Sequence, residues 1–322
     1  MKRSIAAIGV SLALAFSGSA MANIVLTGDY VQTQISNDGT LGEGGSDPGL
    51  VYDSTGTGTF NSSFDYIAPG TPFESFGIRY DGSSLLDNDN ASSNGSVGGS
   101  DAFSFISLLD ISSTSTFDNH AVWTGSNSVF SITHDFFFNN EDERVNISTI
   151  ITALTDVTGL LFSRAVDPDP DSRAHSTSST NNQRGIDNNA DGDAVDTGDV
   201  AVENFVGSLG FVSGSPLGIY ADTNFVQNTG IVSFCCGVID PLTYLAGGNL
   251  GDSSTGDHGI GMGFRLGDLS SGESVTVDYA YVMGGSLATI DLPPPPTVGV
   301  SAPSTIGLML LSLGGFLAFR RK

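Results

Sequence analysis

The sequence predicts an all-β protein built as a large antiparallel β-sandwich. Three observations carry that prediction. Apolar and polar residues alternate with period two along several segments. Clusters of Gly, Asn, Asp and Ser separate those segments, in a chain with 42 Gly among 322 residues. Between the chain ends, no segment shows the 3.6-residue period of an amphipathic helix. Strands without intervening helices pack as a sandwich or a barrel. The strongest strands lie between residues 59 and 284, with no Pro-rich break and no fixed-period repeat. One large sandwich therefore fits better than two small ones.

Residues 1–22 read as a secretory signal helix. Lys2 and Arg3 supply the charged start, residues 5–16 the apolar stretch, and Ala20 and Ala22 the small residues of a cleavage site, so the mature chain begins at Asn23. Residues 23–58 hold an N-terminal strand, 31–35, and a Gly-rich segment assigned to the sandwich. Residues 59–284 form the sandwich proper. Phe130, Ile132, His134, Phe136 and Phe138 share one strand face; Val145, Ile147, Thr149, Ile151 and Ala153 share another. Ile260, Met262, Phe264 and Leu266 repeat the pattern, and Val275, Val277, Tyr279, Tyr281 and Met283 give its clearest form. Shorter strands are expected over 73–80, 102–109, 200–206 and 217–221. Residues 285–300 contain Pro293 to Pro296 and read as a stiff polyproline linker. Residues 301–322 form an apolar terminal segment ending in Arg320, Arg321 and Lys322. A helix begun at Pro303 spans about 25 Å, the short end of what crosses a ~30 Å bilayer core. The basic end places the body on the far side of that membrane.

Charge narrows the function classes. The body carries six Arg, no Lys and all 35 acidic residues, a net −29. That surface repels nucleic acid and anionic lipid and attracts divalent cations or screening salt. Two Cys exclude a disulfide scaffold.

The tail resembles the PEP-CTERM sorting signal. Ala302, Pro303, Ser304 and Thr305 precede the apolar helix and the basic end, and Ala302 stands where the family has an acid. The resemblance implies a Gram-negative bacterium making extracellular polysaccharide. It also implies an exosortase as partner, a membrane-held periplasmic intermediate, and delivery to the cell surface or exterior. The stretch 161–169, with residues 259–283, resembles secreted galactose-mutarotase-like supersandwich domains. This implies a β-sandwich and brings no catalytic motif with it.

Chemistry is harder to place. Asp187, Asn189, Asp191 and Asp193 have the spacing of a calcium loop around Gly192, with Asp196 or Asp199 standing in for the missing Glu at position twelve. A solvated acidic loop reads the same way. Asp167, Asp169 and Asp171 make a second acidic stretch, and 87–90 a third. Cys235 and Cys236 are adjacent; a vicinal disulfide, two buried thiols and an intermolecular bridge all stay open. His134 reads as a core residue, whereas His175 and His258 lie in polar segments. Trp123, Tyr220, Tyr244 and Tyr279 are candidates for stacking on sugar rings, with Trp123 expected in the core. Among six Glu and many Asp, spacing singles out no acid–base pair, and there is no nucleophile elbow or phosphate-binding motif. The sequence thus points to an exported, non-enzymatic surface or matrix protein that adheres to glycan, with calcium as its cofactor and no nucleic-acid partner. A secreted carbohydrate-active enzyme and an inert coat component are the alternatives.

Overall fold

A computed structural model describes residues 23–43, 48–67, 73–90, 101–190, 194, 198–233 and 240–294. Among them every strand ladder is antiparallel, and the strands form three sheets. β1 (Ile24–Thr27), β2 (Val31–Ile35) and β3 (Leu50–Tyr52) make a small sheet in chain order. β4 (Phe73–Arg79) and β5 (Leu86–Asp89) enter a second sheet. β6 (Ser104–Asp110), β7 (Asn119–Ser126), β8 (Phe130–Phe138) and β9 (Arg144–Ala153) enter a third. β10 (Val157–Asp167) returns to the second sheet, and β11 (Thr180–Arg184), β12 (Phe205–Gly210) and β13 (Pro216–Tyr220) extend the third. The chain then alternates: β14 (Val226–Val232) and β16 (Gly259–Leu269) join the second sheet, β15 (Ser253–Gly256) and β17 (Ser274–Val282) the third. The second sheet has five strands ordered β14-β16-β10-β4-β5, and the third has nine, ordered β15-β11-β12-β13-β17-β9-β8-β7-β6.

The expected alternation is present where one sheet face meets the core and the other meets solvent. β8 buries every second residue from Phe130 to Phe138, and β9 every second residue from Val145 to Ala153. β10 breaks the rule because both its faces are covered, so 160–167 is buried throughout and shows no period. β7 alternates in space but not in letters. Its inward residues are Asn119, Ala121, Trp123 and Gly125, too mixed in polarity to signal a strand. The expected strand at 200–206 begins only at Phe205.

The five- and nine-stranded sheets pack face to face. Phe76, Phe162, Met262 and Phe264 meet Trp123, Ile132, Phe136, Ile147, Val277, Tyr279 and Tyr281 in one core, which Leu26, Val31, Ile35 and Leu50 of the small sheet also join. Ring contacts cross it, with Phe76 edge-on to Trp123 at 5.8 Å and Phe162 against Tyr279 at 5.9 Å. Trp123, Tyr244 and Tyr279 are core residues. His134 is fully buried, stacks on Trp123 at 5.2 Å, and bonds Thr149 Oγ1 through Nδ1 at 2.8 Å.

A charged pair lies inside this core. Arg164 on β10 and Glu74 on β4 are both fully buried. The guanidinium bonds both oxygens of Glu74, at 2.8 Å through Nη2, and donates to the Gly39 carbonyl at 3.3 Å. Tyr281 Oη and the Leu41 N–H donate to the same carboxylate at 2.6 and 2.8 Å. Burial pushes the Glu74 carboxyl up, and Arg164, Tyr281 and Leu41 oppose that rise. The network ties all three parts together: β4 and β10 from one sheet, β17 from the facing sheet, and the 39–41 turn that follows β2.

Helix is limited to short pieces among the described residues. α1 (Ser172–His175) is one turn; α2 (Pro241–Leu245) starts with Asp240 accepting from the Leu242 N–H and Pro241 in its first turn. The chain stays on the body past Gly285. Leu287 and Ile290 are buried, Gly284 bridges to Ile290, and Asp291 pairs with Arg144 at 2.5 Å. No helix of the described residues is long and apolar enough to cross a membrane. The signal segment 1–22 and the tail 301–322, with Ala20, Ala22, Ala302, Pro303, Ser304 and Thr305, lie outside the described residues, as do Cys235 and Cys236.

Candidate functional site

The outer face of the nine-stranded sheet carries a trough of about 370 Å³. Its floor follows from strand register. Phe137 on β8 pairs with Asn146 on β9, Asn146 with Ala280 on β17, and Ala280 with Tyr220 on β13. Residues directly paired across antiparallel strands share a face. The row therefore reads aromatic, amide, methyl, aromatic. The two rings stand three strands apart, about 14 Å at the usual strand spacing. Ala280, in the same row, is fully buried in an apolar cluster with Phe205, Val282, Leu287 and Ile290. Asp278, one row along, is exposed and accepts from Ser148 Oγ at 2.6 Å. The loop after β13 brings Asp222, Thr223 and Asn224 to the trough, and Pro293 and Pro294 also line it.

The aromatic walls are held from behind. Phe117 packs on Phe137 at 4.4 Å, and His120 lies 5.8 Å from the same ring. His120 Nδ1 meets Ser115 Oγ at 2.7 Å, and its Nε2 is 3.8 Å from Asp135. Burial pushes the Asp135 carboxyl up, against the opposing His120. Burial and the Asp222 charge push the Tyr220 phenol up, so Tyr220 stays a hydroxyl donor at neutral pH. Two aromatic faces, two carboxylates, two amides and a hydroxyl suit a ligand that is apolar on its faces and rich in hydroxyls at its edges.

Of the four aromatic residues read as sugar-stacking candidates, Tyr220 is the one that faces this trough from a strand while remaining half exposed. Phe137, Asn146 and Asp278 were missed. Each sits at an outward position of a recognised strand, and register across four strands, which the sequence does not reveal, brings them together.

The acidic stretches diverge. In the 187–199 loop, Asp187 accepts from the Ala190 N–H at 2.6 Å and Asp199 from the Asn188 N–H at 2.9 Å, closing the loop on itself. Asn189 is exposed, and Asp191, Asp193 and Asp196 lie outside the described residues. In the second stretch, Asp171 turns away and accepts from the N–H groups of Val212 and Ser213. Asp167 and Asp169 instead meet Asp257, far off in sequence, with one oxygen of each within 4.8 Å of the others. Burial, Asp167 and Asp257 push the Asp169 carboxyl up to about 8, with Ser178 opposing.

A hollow of about 430 Å³ lies between the 52–64 segment and the 213–216 turn, and His175 lines it. Asp53 in its wall accepts from the N–H groups of Thr55, Thr57 and Thr59 and from two hydroxyls. Burial works against its charged form, but those donors hold its carboxyl below the usual range. It is a turn-forming residue already saturated with donors.

No family model and no curated protein matches the chain. The fold is similar to that in a crystal structure of a bacterial glucoamylase complexed with acarbose. The TM-score is 0.50 at 14% identity, over 82% of this chain and 32% of that one. This chain thus spans about a third of the glucoamylase, and the likeness shows a shared fold. A galactose mutarotase related enzyme from Lactobacillus acidophilus is matched at TM-score 0.37 and 8% identity, over 84% of this chain and all of that one. A GH36 alpha-galactosidase from Geobacillus stearothermophilus in complex with raffinose is matched at TM-score 0.35 and 9% identity, over 81% and 40%.

Proposed function

We propose that this protein is exported and acts outside the cell as a non-enzymatic, glycan-associated surface or matrix protein, and that the trough between Phe137 and Tyr220 is where it holds sugar. The single observation behind this reading is the paired row Phe137–Asn146–Ala280–Tyr220. The two rings and Asn146 line a trough long enough for more than one sugar ring. Asp222 and Asp278 favour a neutral, hydroxyl-rich glycan over a uronate, because a second carboxylate brought there would be repelled. Export rests on the 1–22 segment and on the tail around Pro303, read by an exosortase. The 187–199 loop stands as a calcium loop on its spacing.

Affinity electrophoresis through gels carrying neutral polysaccharides tests the reading. The protein is retarded by at least one such glycan without shortening it. Tyr220→Ala weakens binding about tenfold, the loss of ~1.5 kcal/mol for one ring contact. Retardation unchanged in Tyr220→Ala refutes the site. The two trough carboxylates support a second reading, an enzyme acting on the same glycan. Release of reducing ends that stops in Asp278→Asn would replace the non-enzymatic reading with that one.

A further inference from the structure

We propose that Asp167, Asp169 and Asp257 bind a calcium ion that pins the end of β10 to the turn between β15 and β16. This site is separate from the 187–199 loop and from the trough. Three oxygens, one from each carboxylate, lie within 4.8 Å of one another. Calcium–oxygen distances are about 2.4 Å, so oxygens on opposite sides of one ion stand about 4.8 Å apart. The three can all reach the same ion.

Acidic clusters are common without ions, so the argument needs more than proximity. Asp169 supplies it. Its side chain is only 5% exposed, and its Oδ1 is sealed from solvent with no hydrogen-bond partner. It is unable to swing out to water. Pro168 and Pro170 flank it and fix the backbone. Its own N–H donates to the Tyr66 carbonyl at 2.8 Å, and its carbonyl accepts from Ser172 at 3.1 Å. Leaving a rigid, buried carboxylate oxygen unmatched is costly, and four other buried carboxylates of this chain are matched by donors. Asp65 takes three backbone N–H groups, Asp171 takes two, Asp53 takes three, and Glu74 takes Arg164. Asp169 has a hydrogen bond from Ser178, but its neighbouring charges are two further carboxylates and its Oδ1 has no partner.

The chemistry selects the ion. An all-oxygen donor set suits a hard cation, and its spread suits calcium better than the smaller, octahedral magnesium. Asp257 is exposed and opens the site, giving the ion an entry path and room for waters to complete six to eight oxygens. The placement matters mechanically. β10 and β16 belong to the five-stranded sheet and β15 to the nine-stranded sheet. The ion would therefore lock the point where the chain crosses between the sheets.

The test is calorimetry and thermal melting of the full-length protein, stripped with EDTA and titrated with CaCl₂ in physiological salt. Calcium binds with Kd between about 10⁻⁵ and 10⁻³ M and raises the melting temperature. Asp169→Asn weakens binding at least tenfold and removes most of the calcium-induced shift. Asp257→Asn, at an exposed position that leaves the fold intact, weakens binding in the same direction and keeps the test valid if Asp169→Asn fails to fold. Asp187→Asn, in the separate 187–199 loop, leaves the Asp169-dependent part of the binding and of the melting shift in place. No calcium response up to about 10 mM, or wild-type affinity in both Asp169→Asn and Asp257→Asn, overturns the proposal. An equal response to magnesium overturns the choice of ion.

Discussion

Replacing Arg164 with Met is the most informative perturbation of the fold. The side chain is fully buried on β10, and its guanidinium carries the positive half of an ion pair with Glu74, which is equally buried. Without it, Glu74 keeps the Tyr281 hydroxyl at 2.6 Å and the Leu41 N–H at 2.8 Å, but no positive charge. Breaking a buried pair from one side costs about 3–5 kcal/mol, because the remaining charge is stranded away from water. For a body of this size each kcal/mol moves the melting temperature by about 2–4 °C, so Arg164→Met melts roughly 10 °C lower. The pH dependence has a definite sign. Loss of Arg164 raises the Glu74 carboxyl further above its ordinary 4.5, so the folded variant holds a proton that the unfolded chain releases. The deficit is smallest below the ordinary value and grows as pH rises towards neutrality. Adding Glu74→Gln removes the stranded charge and keeps an acceptor for Tyr281 and Leu41, so the double variant recovers more than half of the loss. Thermal melts and urea titrations of wild type, both singles and the double measure the coupling. Additive single effects, or a loss under ~1 kcal/mol in Arg164→Met, would refute the claim that the two buried charges sustain each other.

Other expectations follow from single positions. Gly39 has φ +80°, and a Cβ there would lie 2.7 Å from the Trp123 ring. Gly39→Ala therefore destabilises by about 1–3 kcal/mol in the same melts. Burial, the hydrogen bond and charge of Asp101, and the charges of Glu43 and Asp89 push the Asp38 carboxyl from 3.8 up to about 8. The folded state thus holds an extra proton in that window, stability falls as pH rises from about 4 to about 8, and Asp101→Asn flattens the slope of a pH-melting series. If the tail is a sorting signal, Pro303→Ala leaves it attached, and mass spectrometry of exported protein finds the C-terminal segment that wild type has lost.

Much of the fold was legible because half of each central strand faces water. Phe130 to Phe138 and Val145 to Ala153 write their burial directly into period-two letters. The strands that escaped did so for physical reasons. β10 is covered on both faces, and β7 sets Asn119 and Gly125 at inward positions. Arg164 offered an unread signal, since a lone arginine inside Leu160 to Val166 demands a buried acid. The candidate site was less legible. Tyr220 was one of four rings read as stacking candidates, but its partners Phe137, Asn146 and Asp278 lie about 60 to 80 residues away in the chain, joined by register alone. The calcium cluster shows the same limit. Asp167, Asp169 and Asp171 stood out as one acidic stretch, whereas Asp257 arrives through a sheet crossover that no local pattern encodes.

The central claim is that the trough holds a neutral glycan between two rings. Isothermal titration of the protein with the neutral oligosaccharide that best retards it tests this directly, comparing wild type with Tyr220→Ala and with the double variant Phe137→Ala, Tyr220→Ala. The account predicts a saturable heat in wild type, about tenfold weaker binding in the single variant, and no measurable heat in the double variant, with circular dichroism unchanged throughout. Wild-type heat in a folded double variant would contradict it.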